Sequence, residues 1–349
     1  MFSTSAKRFK TRFRIYLPAL SGADQLKLHK HTGLAFRVFI LALSLIGASE
    51  KTLQAQSSFN RFLTPSDTLQ GDRVLVLSIG GSGIYAGTLI GLNQLWYADY
   101  QHSSFHLFND NTEWLQMDKA GHAYTAYLET VWSAEVLRWA GVRKNKAALI
   151  GAATGFVFQN TIEVLDGFSS QWGASPGDVI ANACGSLLGF TQYILWNEQR
   201  IRFKFSFHPV DYTDDLSSRT DELFGAAFFH SAIKDYNGQT YWLSVNPSSF
   251  INKPDSKFPE WLSVAAGYGA AGLLGANENV WSENGEINER KDIVRFREFY
   301  LSPDIDFTRI KTKSPVLKTC FSLLNAIKFP APALQFNSSG KANFYLLYF

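Results

Sequence analysis

The stretch MDKAGHAYTAY, residues 117–127, is polar although long apolar segments surround it. Side chains on an α-helix rotate by about 100° per residue, so residues three or four apart share a face. On that geometry, one narrow stripe contains Asp118, His122, Thr125 and Glu129. A helix with a single polar stripe in otherwise apolar sequence is typical of a bundle in which the stripe faces a neighbouring helix.

Two later helical runs carry polar stripes of the same kind. The stripe of the third predicted helix contains Gln159, Glu163 and Asp166. The stripe of the fourth contains Asp178, Asn182, Gly185, Gly189 and Gln192. Buried charge is costly unless it is paired, hydrogen-bonded or bound to a metal. We therefore expect the three stripes to meet in one cavity.

The three stripes define the candidate site residues. The candidates for acid/base catalysis are Asp118, His122, Glu163, Asp166 and Asp178. Further members of the polar cluster are Lys119, Thr125, Glu129, Gln159, Asn182 and Gln192. Histidine and carboxylates on facing helices can hold a divalent metal, for which the candidates are His122, Glu163 and Asp178. The paired Glu-x-x-His spacing of di-iron bundles is missing, and each residue alone also fits a purely structural role, such as a helix cap or a solvated turn.

The order of segments predicts a mainly α fold. Four apolar helices at about residues 72–200 are expected to form a four-helix bundle, and the first has no charge from Val74 to Tyr97. The glycine pairs at spacing four indicate close helix packing, either in a membrane or in water. From residue 201 to 349 the chain has short aromatic-rich runs between Pro, Gly and Asn clusters. This region predicts an irregular α+β segment with short antiparallel strands.

The first 71 residues read as a leader and a linker. An apolar run of eleven residues, Val38 to Ala48, has the length of a signal-peptide core and is too short to span a bilayer. We expect a signal peptide with an overlong leader at residues 1–55 and a polar linker at residues 56–71. Removing the leader takes away nine Lys/Arg and two Asp/Glu and leaves 24 basic and 28 acidic residues. Nucleic-acid binding then has no compositional support.

Composition favours a protein of the membrane or one that buries a cofactor. Aromatic residues make up 15% of the chain and charged residues only 18%, against about 25% in a typical soluble domain. The two cysteines, Cys184 and Cys320, are expected to be buried thiols, and neither follows the leader where a lipid would be attached.

The segments MDKAGH, IEVLDG and ASPGDVIANACGSLLG together resemble the YfiM-like family of predicted periplasmic proteins, a domain of unknown function. The similarity covers about residues 100–200, and later segments are similar to a longer version found in Bacteroidetes-type envelopes. The same order of motifs is more distantly similar to VanZ-like membrane proteins. The family's signature positions fall on Asp118, Lys119, His122, Glu163, Asp166, Asp178 and Gly185. The resemblance implies an envelope location and no established reaction.

Two functions fit these observations. The first is a non-catalytic envelope protein, periplasmic or outer-membrane-associated, that contacts the membrane surface or bilayer and a possible envelope partner. The inner membrane is the alternative location. The second is a membrane-proximal hydrolase or transferase that acts on a lipid-linked or cell-wall intermediate, with His122 as general acid/base and a possible divalent cation. Whether the protein is an enzyme stays open at this point.

Overall fold

The computed structural model describes residues 14–15, 59–97, 101–251, 258–283 and 285–349. The predicted signal peptide lies outside the described residues, apart from Arg14–Ile15. Most of the predicted linker is described, and it includes a short helical turn at residues 59–63.

Four long helices occupy the N-terminal half of the described chain. They are α1 (Gly71–Leu92), α2 (Met117–Trp139), α3 (Lys144–Asp166) and α4 (Pro176–Trp196). A π-helical turn, Asn93–Tyr97, extends α1, and a 3-10 turn, Glu113–Gln116, precedes α2.

Local sequence sets the ends of α4. The Ser175 hydroxyl accepts a hydrogen bond from the Asp178 amide at 3.1 Å, and Pro176 occupies the first turn. Both are common at helix starts. Asn197 ends the helix in the left-handed conformation, with φ at 61°.

Helix α2 is the centre of the helical part, and glycines let α3 and α4 approach it closely. A Cβ atom at Gly185 would lie 2.0 Å from the Ala123 carbonyl oxygen, and one at Gly155 would lie 2.5 Å from the Ala126 carbonyl oxygen. No larger side chain fits at either contact without moving a backbone. The predicted glycine pairs therefore lie at helix contacts.

Helix α1 is not a full member of this bundle. None of its residues is buried. Its contacts include the Tyr85 ring, which stacks on Phe158 at 4.0 Å, and the Tyr85 hydroxyl, which donates to Thr161 at 2.6 Å. Three helices pack tightly while α1 lies against their outside, so the predicted four-helix bundle is not confirmed.

The C-terminal half is built on an antiparallel sheet, as predicted. Its strands are β2 (Ile201–Phe207), β3 (Gln239–Val245), β4 (Leu262–Ala271), β7 (Phe296–Ile305), β8 (Ala331–Asn337) and β9 (Ala342–Tyr348), in the order β9-β8-β7-β4-β3-β2. A two-residue strand, β1 (Arg14–Ile15), runs parallel to β9. A separate hairpin consists of β5 (Val280–Glu283) and β6 (Glu286–Glu289). Short helices α5 (Ser217–Phe224), α6 (Phe228–Lys234) and α7 (Pro315–Leu324) connect the strands.

The sheet packs on α2 through aromatic side chains. The Tyr124 ring contacts Phe203, Phe205 and Tyr241 at centroid distances of 5.7 to 5.8 Å. The Tyr124 hydroxyl donates to the Ala326 carbonyl oxygen at 3.1 Å. Helix α2 therefore lies between the sheet on one side and α3 and α4 on the other.

Three helices of the described chain are long and apolar enough to cross a bilayer, namely α1, α3 and α4. Their outward side chains are exposed and apolar: Ile84 on α1 is 73% exposed, and Leu195 on α4 is 70% exposed. The inward faces of α3 and α4 instead consist of small and polar residues.

Candidate functional site

The polar stripes of α2, α3 and α4 meet at one end of the three helices. Asp118 lies in the first turn of α2, Asp178 lies in the first turn of α4, and Asp166 is the last residue of α3. This arrangement follows from chain direction. Because α2, α3 and α4 are consecutive and antiparallel, the start of α2, the end of α3 and the start of α4 lie at the same end of the group. The site is a cavity of about 570 Å³. Its acidic lining residues are Asp110, Glu113, Asp118, Glu163, Asp166 and Asp178.

Lys119 is the main positive charge beside these acids. Its ammonium nitrogen lies 2.6 Å from Asp110, 3.0 Å from Asp178 and 3.4 Å from Asp118. Burial raises the pKa of Asp110, but hydrogen bonds from Lys119 and Ser175 outweigh it and hold that pKa below its usual value. Asp110 is therefore ionised, and Lys119 joins the loop before α2 to the start of α4.

His122 is partly buried among carboxylates from three helices, with 14% of its side chain exposed. Its Nδ1 lies 3.1 Å from the side-chain amide of Asn182. Its Nε2 lies 3.5 Å from Glu163 and 3.8 Å from Asp118. Burial lowers the pKa of His122, but the charges of Asp118, Asp178 and Glu163 exceed that effect and raise it, which favours the imidazolium.

Glu163 has one satisfied and one unsatisfied carboxylate oxygen. One carboxylate oxygen accepts from the Ser175 amide at 2.9 Å. The other is buried and has no hydrogen bond, and its near neighbour is His122 Nε2. An unsatisfied buried carboxylate oxygen costs stability unless a charge lies beside it, and a protonated His122 ring, 3.5 Å away, supplies such a charge.

The remaining candidates are divided between this cavity and other positions. Asp166 accepts from the Tyr97 hydroxyl at 2.7 Å and lines the cavity. Gln159 lines it too and donates to Glu129 at 3.0 Å, further along the helices. Thr125 lines it, but its hydroxyl donates to the Gly121 carbonyl oxygen of its own helix.

Gln192 lies away from the cavity. Its side chain is buried near the other end of α4, where the amide nitrogen donates to Gln199 at 2.8 Å and to the Ile201 carbonyl oxygen at 2.9 Å. Gln192 shares a helix face with Asp178, but 14 residues separate the two, which at about 1.5 Å of rise per residue is far beyond contact. It fixes the turn from α4 into β2.

Two polar groups of the site come from outside the long helices, and helical periodicity in the sequence does not predict them. Tyr236, in the loop after α6, donates to Asp118 Oδ1 at 3.0 Å, and the Ser175 hydroxyl donates to Asp110 at 2.6 Å. Burial and the charge of Asp118 raise the pKa of Tyr236 well above its usual value, so its hydroxyl stays a donor. Asp110 lies in an irregular loop, where helical periodicity gives no signal.

The metal prediction involves a slightly different set of side chains. Within the described residues, Asp118, His122 and Asp178 each offer a ligand atom, and these atoms lie within 4.8 Å of one another. Glu163, a predicted ligand, is not in this set, although its Oε1 has no hydrogen bond. The Lys119 ammonium lies 3.0 Å from Asp178, so a cation bound there would have to displace it. The catalytic, binding and metal roles of all these residues stay predictions.

The expectation of buried cysteines is wrong, since Cys184 and Cys320 are both exposed. Cys184 lies on α4, whose buried face is polar and small. An apolar run therefore did not mean burial inside the protein.

Residues 106–194 match the model of a family described as predicted periplasmic lipoproteins. The match covers about a quarter of the 349-residue chain, and it contains α2, α3 and most of α4. The resemblance to this family of unknown function is confirmed, and the description agrees with the predicted cell-envelope location. The more distant VanZ-like similarity stays a prediction. No curated protein and no solved structure matches the chain.

Proposed function

We propose that the protein is a membrane-embedded envelope protein, in which α1, α3 and α4 cross a bilayer and the polar cavity lies near one membrane surface. The observation that carries this proposal is the distribution of polar and apolar side chains around α3 and α4. Each turns its glycines, amides and carboxylates toward α2 and its large apolar side chains outward. In water the opposite arrangement is expected, whereas small residues at helix contacts are typical of membrane bundles.

The two ends of the helices support this orientation. At the end opposite the cavity, the Arg73 guanidinium lies 4.5 Å from the Trp139 ring and the Arg200 guanidinium lies 5.1 Å from the Trp196 ring. Tryptophan and basic residues concentrate at membrane–water interfaces. An acidic cavity at one end and a basic aromatic rim at the other fit a segment that ends at two such interfaces.

In this proposal the cavity cluster has a structural role. Lys119, Asp110 and Asp178 connect the loop before α2 to α4, and His122 connects α2 to Glu163 and Asn182. A network of this kind fixes the register of three helices that otherwise meet through small residues. The cluster then stabilises the packing of the three helices and has no catalytic role.

The membrane proposal is tested by fractionation of the cell envelope. We expect the full-length protein to remain in the membrane pellet after washing with alkaline carbonate and to need detergent for release. Release by carbonate or by high salt would mean that the helices do not span, and the proposal would fail. A soluble periplasmic protein serves as the control for envelope breakage.

A second candidate is acid/base chemistry on the head group of a lipid-linked intermediate. The observation that favours it is the position of His122, which lines the cavity with its Nε2 3.5 Å from the unsatisfied oxygen of Glu163. Such a group can donate a proton to a leaving oxygen.

The two candidates differ in what His122→Gln does. If the cluster has a structural role, His122→Gln lowers both the thermal stability and the complementation of a deletion strain. The enzyme predicts a variant that keeps its stability but does not complement. The metal-dependent form of the enzyme hypothesis is tested by metal analysis of the purified protein and by its melting temperature with and without a chelator. Metal-free protein whose melting temperature does not change with chelator would contradict that form of the hypothesis.

A further inference from the structure

The two faces of the C-terminal sheet differ in polarity, and the strand register shows how. Residues directly opposite one another on paired strands share a face. One row across the sheet consists of Leu243, Ala266, Leu301, Leu334 and Phe344. The next row on the same face consists of Tyr241, Tyr268, Phe299, Phe336 and Ala342. Neither row contains a charged residue.

This apolar face is largely uncovered. Part of it is covered by α2 and the turn before α2: Tyr124 packs on Phe205 and Tyr241, and Met117 lies in one cluster with Tyr241 and Ala270. The Tyr268 hydroxyl of β4 also donates to the Leu115 carbonyl oxygen. Beyond these contacts, Leu301 is 48% exposed and Phe336 is 49% exposed.

The opposite face is buried, and it combines polar and charged side chains with the cluster of Trp242, Tyr300 and Tyr348. Its central row consists of Lys204, Trp242, Gly267, Tyr300, Gln335 and Asn343. Lys204 pairs with Asp304 at 2.7 Å, and neither side chain is exposed at all. Glu298 accepts from Tyr300 at 2.7 Å and from Gln335 at 2.6 Å. Apart from Arg297, which lies opposite Ala270 on the outward face and donates to Gln116 at 2.5 Å, the sheet encloses its charges and presents apolar side chains outward.

An antiparallel sheet in water shows the reverse, with apolar residues toward the core and polar residues toward solvent. Strands in a bilayer alternate apolar residues toward lipid with polar residues toward the interior. Burying a Lys–Asp pair while leaving leucine and phenylalanine outside is costly if the outer medium is water. It is the expected arrangement if the outer medium is hydrocarbon.

Two further features fit hydrocarbon. The apolar face continues through Tyr124 onto α2, and from there to α3 and α4, whose outward residues are apolar as well. The outer edge of β2 is also partly hydrogen-bonded: the Phe205 amide donates to Ala326 at 3.0 Å, and the Phe205 carbonyl accepts from Lys328 at 2.9 Å. Unpaired strand edges are excluded from lipid.

From these observations we infer that the outward face of β4, β7 and β8 contacts lipid acyl chains, so that the sheet is embedded in the bilayer beside the helices. This inference rests on the proposed membrane embedding and extends it to the C-terminal half. The ligand of this surface is the hydrocarbon of the bilayer, because polar head groups would find no hydrogen-bonding side chain in the row that contains Leu301.

Quenching by labelled lipid tests the inference. A full-length Cys184→Ser/Cys320→Ser background removes the exposed native thiols. Leu301→Cys or Phe336→Cys then carries a small fluorophore, and the protein is reconstituted into vesicles of phosphatidylethanolamine and phosphatidylglycerol with nitroxide-labelled acyl chains. Leu187→Cys, on the outer face of α4, is the reference for a spanning helix. Lys291→Cys, which replaces a side chain that is 82% exposed, is the reference for water.

We expect the two sheet positions to be quenched as strongly as Leu187→Cys and several-fold more strongly than Lys291→Cys. Quenching at Leu187→Cys without quenching at the sheet positions would overturn the inference and leave the helical membrane proposal intact. Absence of quenching at Leu187→Cys would overturn both. Disulfide cross-linking between two copies through Leu301→Cys, with no quenching there, would overturn the inference by showing that a second copy covers this face.

Discussion

In the helical part, the acidic groups of the cavity gather at one end of three helices, whereas in the sheet the buried charged groups lie along one face. The outward surface is apolar in both. A helix satisfies its own backbone hydrogen bonds, so α3 and α4 can carry apolar residues along most of their length and collect polar ones at a terminus. A strand needs neighbours for its backbone and alternates its side chains, so every second residue must face the interior. The comparison shows two ways in which one chain turns its polar groups inward.

The largest effect is expected from removing the central cation of the cavity. Lys119→Met leaves Asp110 and Asp178 without their shared ammonium, and breaking a buried ion pair costs about 3–5 kcal/mol. Chemical unfolding in detergent measures the loss in free energy of unfolding. Lys146→Met, at an exposed lysine of α3, is the matched control and is expected to have no effect. The double variant Lys119→Met/Asp178→Asn should recover part of the loss. A Lys119→Met protein as stable as wild type would contradict the structural role of the cluster.

A charge on the outward sheet face tests the sheet half of the comparison. In lipid, Leu301→Arg is expected to cost about 2–4 kcal/mol, because an arginine must leave water for hydrocarbon. Ile287→Arg, at a hairpin residue that is 79% exposed, is the control. The measurement is the folded fraction in vesicles as denaturant increases. If Leu301→Arg and Ile287→Arg unfold at the same denaturant concentration, the outward face of the sheet faces water. The sheet would then differ from the helices in its surroundings.

The helix contacts are tested by adding one methyl group. Gly185→Ala places a Cβ 2.0 Å from the Ala123 carbonyl oxygen, and overpacking of this kind typically costs about 1–3 kcal/mol. Gly83→Ala, on α1, meets nothing within 4 Å and serves as the control. Melting temperature in detergent distinguishes the two. A Gly185→Ala protein as stable as wild type would contradict the close contact between α2 and α4.

The smallest effect concerns pH. The carboxylates around His122 raise its pKa in the folded protein, so its contribution to stability is fully present below the unfolded value of about 6.5 and is lost as pH rises through the higher folded value. As pH rises from about 6.5 through the higher folded pKa, wild type should therefore lose more stability than His122→Gln. Stability curves measured from pH 5 to 9 in parallel for the two proteins test this, and parallel curves would show that His122 is not protonated on folding.

Sequence periodicity determined much of the helical half. The ends of α3 and α4 and the shared face of Asp118 and His122 follow from local signals, because a polar residue every three or four positions and a Ser-Pro helix start act within one element. The approach of Glu163 and Asp178 could be expected as well, since buried charges need partners.

The tertiary structure alone decided the rest. Tyr236 reaches Asp118 across 118 residues of sequence, and Asp110 comes from a loop with no periodic pattern. The position of α1 outside the bundle and the exposure of Cys184 depend on which apolar face finds a partner, and composition does not encode that choice. The sequence by itself determined which residues share a face of each helix. Only the tertiary structure decided which faces are enclosed, because burial is a property of the neighbours that pack against a face and not of the face itself.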